Sequence, residues 1–278
     1  MADQRKFRVA LVQLNATDNV AENVKQCCEL IQSVVAQGAD FILTPEMTSL
    51  MAKNGRQLYA TAVTQEHDTA LKAFLAMAVS CKTWLLIGSL PILEDGRVAN
   101  RSFLINPEGQ IKATYDKIHM FDVDLPDGEQ YRESRTYQPG EVAVKATLPW
   151  AELGMTICYD LRFPALHRSL AQAGAEILSI PAAFTKITGE AHWHTLLRAR
   201  AIENGCFVFA PAQTGRHANG RSTYGHSLIV SPWGEVLADG GEDVGVTLAD
   251  IDMAEVEKAR SKIPSLQHDR HFDVKITT

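Results

Sequence analysis

No apolar run in this sequence approaches the ~18 residues that a membrane-crossing helix needs. Runs such as Trp84 to Ile87 and Cys206 to Ala210 are a fraction of that length. Basic charge is also in short supply. Lys plus Arg number 27 against 33 Asp plus Glu, a formal net charge of −6 over 278 residues. That balance argues against a nucleic-acid partner, which calls for a basic surplus or patch. Cysteine is too sparse and too irregular for a disulfide framework or a zinc knuckle. The five, an odd number, stand at 27, 28, 81, 158 and 206 with no CxxC pair. The N-terminal MADQRKFRVALVQL is charged and runs straight into a strand pattern, so no secretory signal is expected and a cytoplasmic setting is.

The absences extend to motifs. No GxGxxG or GxxxxGK[ST] follows a predicted strand, which removes the usual nucleotide fingerprints. GHSLI at 225–229 is the nearest approach to GxSxG and lacks its second glycine, which disfavours an α/β-hydrolase elbow. There is no HExxH. His192 and His194 resemble a metal pair on paper, but residues two apart on a helix point about 200° from each other. No metal ligand is assigned, and no cofactor is expected.

What is present is ordinary globular composition, 46% hydrophobic and 22% charged. The pattern opens with a strand over 7–14, a helix over 20–37 capped by Asn19 and closed by Gly38, and a strand over 41–44 ended by Pro45. This is a βαβ-like start, which favours an α/β fold. Further helices are predicted over 65–82, 164–173, 190–204 and 253–262. Strands are predicted over 84–90, 98–106, 110–115, 142–148, 153–157, 176–180, 206–211, 225–231, 235–238 and 244–251. About twelve strands and five or six helices, with no linker-like stretch, predict one domain over 1–278.

Three segments set a reactive polar residue where a strand ends, the place where open α/β sheets build their sites. Glu46 follows the strand in FILTPEM, Lys117 follows the strand before KIHMFD, and Cys158 closes the strand in GMTICYDLRFP. A thiol, an amine and a carboxylate suffice for acyl transfer. The cysteine attacks as thiolate, the glutamate moves protons, and the ammonium lowers the thiol pKa and steadies an oxyanion. Each also has a plain reading: Cys158 as core, like Cys206 or Cys81; Glu46 as a helix-entry carboxylate; Lys117 as a solvated turn residue. Spacing alone does not show that the three meet.

Taken together and in order, TPEM, YDKIHMFD and CYDLRFP resemble the nitrilase superfamily of carbon–nitrogen hydrolases, and the resemblance runs from FRVALVQLNAT to the last helix. It implies an α/β fold, a four-layer αββα sandwich of two six-stranded sheets, assembled as homodimers or larger homo-oligomers. It also implies a Glu–Lys–Cys triad at Glu46, Lys117 and Cys158, with the Tyr159 N–H as a supporting oxyanion donor. A second glutamate near the nucleophile matches Glu141 in YQPGE. No metal or organic cofactor is implied, and the partner is a small-molecule amide.

Cys158-Tyr159-Asp160 in place of a Cys-Trp-Glu sequence is similar to the amidase branch that acts on ω-amides of 2-oxo acids. HWHTLLRARAIEN (192–204) and GRHANGRSTYGHSLIVSPWG (215–234) resemble the deaminated glutathione amidases. The 2-oxoglutaramate ω-amidases are the alternative, less similar at 215–217 and in DVDLPDG (122–128). A nitrilase-fold protein that serves only as an interaction partner is a third reading. An anionic substrate on a negative protein needs local cations. Arg162 is the first candidate carboxylate clamp, with Arg216 and His217 as second choices.

Overall fold

The computed structural model describes residues 5–125, 128 and 130–277; Pro126 and Asp127 of the DVDLPDG segment lie outside the described residues. Two mixed sheets carry the fold. In the first, the strands run in the order Gly245–Asp252, Lys6–Gln13, Phe41–Leu43, Trp84–Glu94, Arg97–Ile105, Ile111–Asp116. In the second the order is Val236–Asp239, Leu228–Val230, Phe207–Ala210, Ile177–Ser179, Glu152–Met155, Val144–Thr147. Each has three parallel strands at its centre and antiparallel strands outside them. Central parallel strands are buried on both faces, which is why FIL, ILS and FVFA read as continuous apolar runs rather than alternating ones. The first sheet departs from a plain six-stranded one: Tyr137–Gln138 adds to it, pairing with Arg97–Ile105.

The layers follow from the faces. Phe7, Val9, Leu11, Phe41, Leu43 and Leu86 of the first sheet join Leu153, Met155, Ile177 and Phe209 of the second in one apolar cluster. The opposite face of the first sheet (Ala10, Val12, Ile42, Leu85, Ile87) packs on α1 (Val20–Val35) and α3 (Thr69–Cys81) through Cys27, Ile31, Val34, Leu71, Phe74 and Ala78. Alternation along Lys6–Gln13 thus feeds two cores at once, as a strand period of two requires. α4 (Pro164–Gln172) and α5 (Lys186–Asn204) cover the second sheet with Leu170, Trp193 and Leu197. Fully burying one such large side chain contributes roughly 1.5–3 kcal/mol. The order of layers is helix, sheet, sheet, helix, the sandwich that the resemblance implies.

Some local expectations are corrected. α3 begins at Thr69 with the Asp68 carboxylate accepting from Leu71 N, four residues after the predicted 65. α5 begins at Lys186, four residues before the predicted 190, running through Gly189 rather than stopping at it. That glycine is there for packing: a Cβ would sit 2.3 Å from Tyr224 Cβ. α2 (Gly55–Thr61) and the hairpins Asp122–Asp124/Gln130–Arg132 and Thr214–Arg216/Ser222–Tyr224 are not predicted. Strands of three residues rich in charge and glycine carry no readable period. α6 (Ala254–Lys262) matches its prediction closely. Among the described residues no helix is long and apolar enough to cross a membrane.

Candidate active site

Glu46, Lys117 and Cys158 come from three strand ends and meet at the floor of one cavity of about 700 Å³. Glu46 lies just beyond Phe41–Leu43 in a tight loop. Gly88 on the neighbouring strand makes that loop possible, since a Cβ there would lie 2.1 Å from Thr44 O and 2.4 Å from Pro45 O. Gln213, three residues beyond Phe207–Ala210, clamps the loop: its amide donates to Glu46 O at 3.0 Å and its carbonyl accepts from Ala16 N at 2.9 Å. Three donors hold the carboxylate itself in place. Oε1 accepts from Lys117 Nζ at 2.9 Å and Asn100 Nδ2 at 3.0 Å, and Oε2 from Ala183 N at 2.8 Å.

Cys158 opens a 3-10 turn, Cys158–Arg162, with a left-handed backbone (φ +50°) that a non-glycine residue adopts only when its surroundings enforce it. The enforcement is visible. Cys158 N donates to Pro181 O at 2.9 Å. The fully buried Asp160 accepts from Ile157 N at 2.9 Å and Tyr115 Oη at 2.7 Å, and lies 2.7 Å from His119 Nδ1. The turn is therefore aimed by bonds from three directions, and the thiol faces the Glu46 carboxylate.

The charges settle on a definite pattern. Burial alone would push the Glu46 carboxyl up, but the Lys117 ammonium, helped by Arg221, outweighs it and holds the group below the usual carboxylate range. Burial works against the charge on Lys117, yet Glu133 and Glu46 together raise it well above an ordinary lysine. Burial and the Glu46 charge push the Cys158 thiol up, and Lys117 and Arg221 offset this only in part. This corrects the expectation of a resting thiolate: in the free protein the thiol keeps its proton, and Glu46 is the ionised base beside it. A buried carboxylate next to a thiol, with an ammonium across from both, is equipped to transfer a proton and hold an oxyanion.

The second glutamate is not where the sequence placed it. Glu141 is exposed. The carboxylate that grips Lys117 is Glu133, on a short 3-10 turn (Glu133–Arg135), with Nζ donating to Oε1 at 2.9 Å and to Oε2 at 2.8 Å. Glu133 Oε2 also accepts from Phe121 N at 2.7 Å, tying the loop after Lys117 to the ion pair. Glu133→Gln should keep part of this hydrogen bonding and lose the charge that fixes Lys117. A fall in kcat of about 10- to 100-fold is expected, the scale lost when a partner that orients a key group is removed. Unchanged steady-state turnover would reduce Glu133 to a surface loop residue.

Of the candidate clamps, none lines the cavity. Arg162 stacks behind its wall, with its guanidinium carbon 5.1 Å from the Phe184 ring centroid and Nη2 3.3 Å from His192 Nδ1. Asp160, two residues before it, is bonded elsewhere and forms no ion pair with it. Arg216 is exposed, and His217 is buried between Ala16 O (2.9 Å) and Thr223 Oγ1 (2.7 Å). Tyr159 does line the cavity, edge-on to Phe121 at 5.1 Å. The cation that sequence reading missed is Arg221, on the cavity wall with Lys53 and Arg132. His192 and His194 do face apart on α5. His194 Nε2 instead lies 3.1 Å from Asp239 Oδ2, with His226 Nδ1 2.9 Å from Oδ1. These three are the one group among the described residues with the donor set and spacing to hold a metal ion, and none of them lines the cavity.

Comparison with known proteins identifies the family. The family model for carbon-nitrogen hydrolases matches residues 8–261. The chain is 42% identical over 271 residues to a deaminated glutathione amidase of Synechocystis sp., covering 95% of this chain and 98% of that one. It superposes on the crystal structure of the C. elegans NitFhit protein with a TM-score of 0.89 at 33% identity, covering 97% of this chain and 66% of that longer one. It superposes on Saccharomyces cerevisiae Nit3, a member of branch 10 of the nitrilase superfamily, with a TM-score of 0.85 at 27% identity over 94% of this chain and 95% of that one. With the fold and these likenesses in agreement, the chain belongs to the carbon-nitrogen hydrolase family, within the nitrilase superfamily, and is a hydrolase of carbon–nitrogen bonds.

Proposed function

We propose that the protein hydrolyses the amide of deaminated glutathione, a 2-oxo acid joined through its far carbonyl to a cysteinylglycine arm. The observation that carries this is the cavity: Cys158, Glu46 and Lys117 lie together beneath about 700 Å³ of space. That is room for a ligand of tripeptide size, inside the ~300–1,000 Å³ span of small-molecule sites. In the proposed reaction Cys158 Sγ attacks the amide carbonyl as its proton passes to Glu46. Lys117 and the Tyr159 N–H hold the oxyanion. Collapse breaks the C–N bond, with Glu46 returning the proton to the departing amine and leaving a thioester on Sγ. Water then attacks the thioester, gives a proton to Glu46, and the acid leaves as Sγ recovers that proton. Glu133 holds Lys117 throughout. Exposed Ile202, Trp233 and Ile263 around one surface depression support a homo-oligomer, and the free cysteines suit a cytoplasmic setting.

The same residues would serve 2-oxoglutaramate, which lacks the arm. Discrimination is differential binding of the transition state, so the arm is rewarded only by wall contacts beyond the trio. One charged contact contributes roughly 1.5–3 kcal/mol, or about 10- to 100-fold in kcat/KM, in favour of the longer substrate. Amine release from deaminated glutathione, 2-oxoglutaramate, a simple aliphatic amide, an N-carbamoyl amino acid and a nitrile measures this directly. Equal kcat/KM for the first two, or a preference for the shorter, would move the reading to an ω-amidase. No turnover of any would favour the interaction-partner reading.

A further inference from the structure

Most cations of the cavity are already neutralised. Lys117 is shared by Glu46 and Glu133, Lys53 Nζ meets Asp18 at 2.7 Å, and Arg132 Nη2 meets Asp124 at 2.6 Å. Arg221 differs. Its Nη2 donates to Ala183 O and its guanidinium carbon lies 5.2 Å from the Tyr131 ring centroid and 6.0 Å from that of Phe121. Its Nε is buried with no hydrogen-bond partner, and among the described residues no carboxylate forms an ion pair with it. A guanidinium placed on a cavity wall, oriented by two rings and a carbonyl and left without an anion, is a half-built pair: leaving such a charge unmatched in a partly desolvated site costs free energy that a ligand anion would recover. Its field already reaches Glu46 and Cys158, so it stands near the reacting atoms. We infer that Arg221 forms a carboxylate subsite of this cavity and selects amides that carry a carboxylate over neutral amides.

The inference rests on the reading that the cavity takes small amides, but needs neither the 2-oxo group nor the cysteinylglycine arm. The test compares glutaramate with glutaramide, in which a carboxamide replaces the carboxylate, in the unmodified enzyme, Arg221→Gln and Arg221→Lys. The carboxylate preference, the ratio of the two kcat/KM values, should fall about 10- to 100-fold in Arg221→Gln, chiefly through KM, with partial retention in Arg221→Lys. Equal losses on both amides would show a structural role and overturn the inference, as would no carboxylate preference in the unmodified enzyme. Thermal melting of each variant separates misfolding from lost recognition. Running the same variants on deaminated glutathione and 2-oxoglutaramate locates the bound carboxylate. Matched losses put it on the acyl side, and loss confined to the longer substrate puts it on the glycine end. If neither 2-oxo acid amide is turned over while the glutaramate preference still depends on Arg221, the substrate proposal fails and the subsite stands.

Discussion

Cys158→Ala is expected to lower kcat on the preferred amide by a factor of the order of 10⁵ or more, the scale seen when a covalent nucleophile is removed and only binding and oxyanion contacts remain. The fold should survive. Its turn is held by Pro181, Tyr115, His119 and Ile157 rather than by the sulfur. A residual activity above ~1% of the original, in a variant with an unchanged melting curve, would remove the covalent route. Because the resting thiol is protonated and Glu46 is the base, the pH profile has a definite sign. Activity should hold across neutral pH and fall only as acid protonates Glu46, below the usual carboxylate range. A small haloacetamide should label Cys158 ahead of the buried Cys27 and Cys206, whose thiols burial also pushes up and neither of which lines the cavity.

How much of this site the sequence showed depends on the element each residue sits on. Glu46, Lys117 and Cys158 were legible because each ends a strand with a strong apolar pattern, and strands of an α/β sheet deliver their last residues to a common edge. Even so, 71 residues separate Lys117 from Glu46, and only the strand order of the first sheet, which brings the ends of Phe41–Leu43 and Ile111–Asp116 to one side, shows that their charged atoms touch. Glu133 had no such signal. It lies on a three-residue turn among Arg132, Ser134 and Arg135, a context that reads as solvated surface. Glu141 was named on the family resemblance alone, whereas Pro139-Gly140 before it reads as a surface turn, and its side chain is exposed.

The arginines show a finer limit. Thr214–Arg216 pairs with Ser222–Tyr224 so that Arg216 lies opposite Ser222. Arg221, one residue further along, is displaced to the other side of the ribbon, towards the cavity. A one-residue step in register decides which face a strand residue takes, and a ribbon of three residues per strand has no hydrophobic pattern to fix it. The layers were more legible than the loops for the same reason. Long periodic segments announce their buried faces, whereas the short hairpins that build the cavity walls are placed by contacts with distant parts of the chain.

Lys117→Met tests the electrostatic centre of the proposed mechanism, and its effects should appear in activity and stability together. The ammonium is nearly inaccessible, 2% exposed at its side chain, and is the cation between two carboxylates. Taking it away leaves Glu46 and Glu133 facing each other without it, and breaking a buried pair in this way costs roughly 3–5 kcal/mol. The protein relieves the strain by protonating a carboxyl, which takes the base out of service at neutral pH. Loss of the oxyanion contact removes about 10²–10³ in rate by itself, so kcat should fall by ~10³ or more in total. The pH dependence then changes sign. In the unmodified protein Glu46 is depressed, so its contribution to stability is present above the ordinary carboxylate pKa and fades as pH falls through the lowered one. Lys117 is raised, so its contribution is present below the ordinary lysine pKa and fades only as pH climbs through the higher one. Between these limits stability from the pair is flat. Without Lys117 the carboxyl proton is lost as pH rises, so the variant should become less stable from mildly acidic to alkaline pH while its residual activity climbs. Denaturant melts and single-turnover rates across pH measure both trends. Lys117→Met with Glu133→Gln should recover much of the stability, since one carboxylate no longer faces another, and almost none of the rate. Near-normal turnover by the single variant, or recovery of turnover by the double one, would show that the ammonium positions the loop rather than the oxyanion.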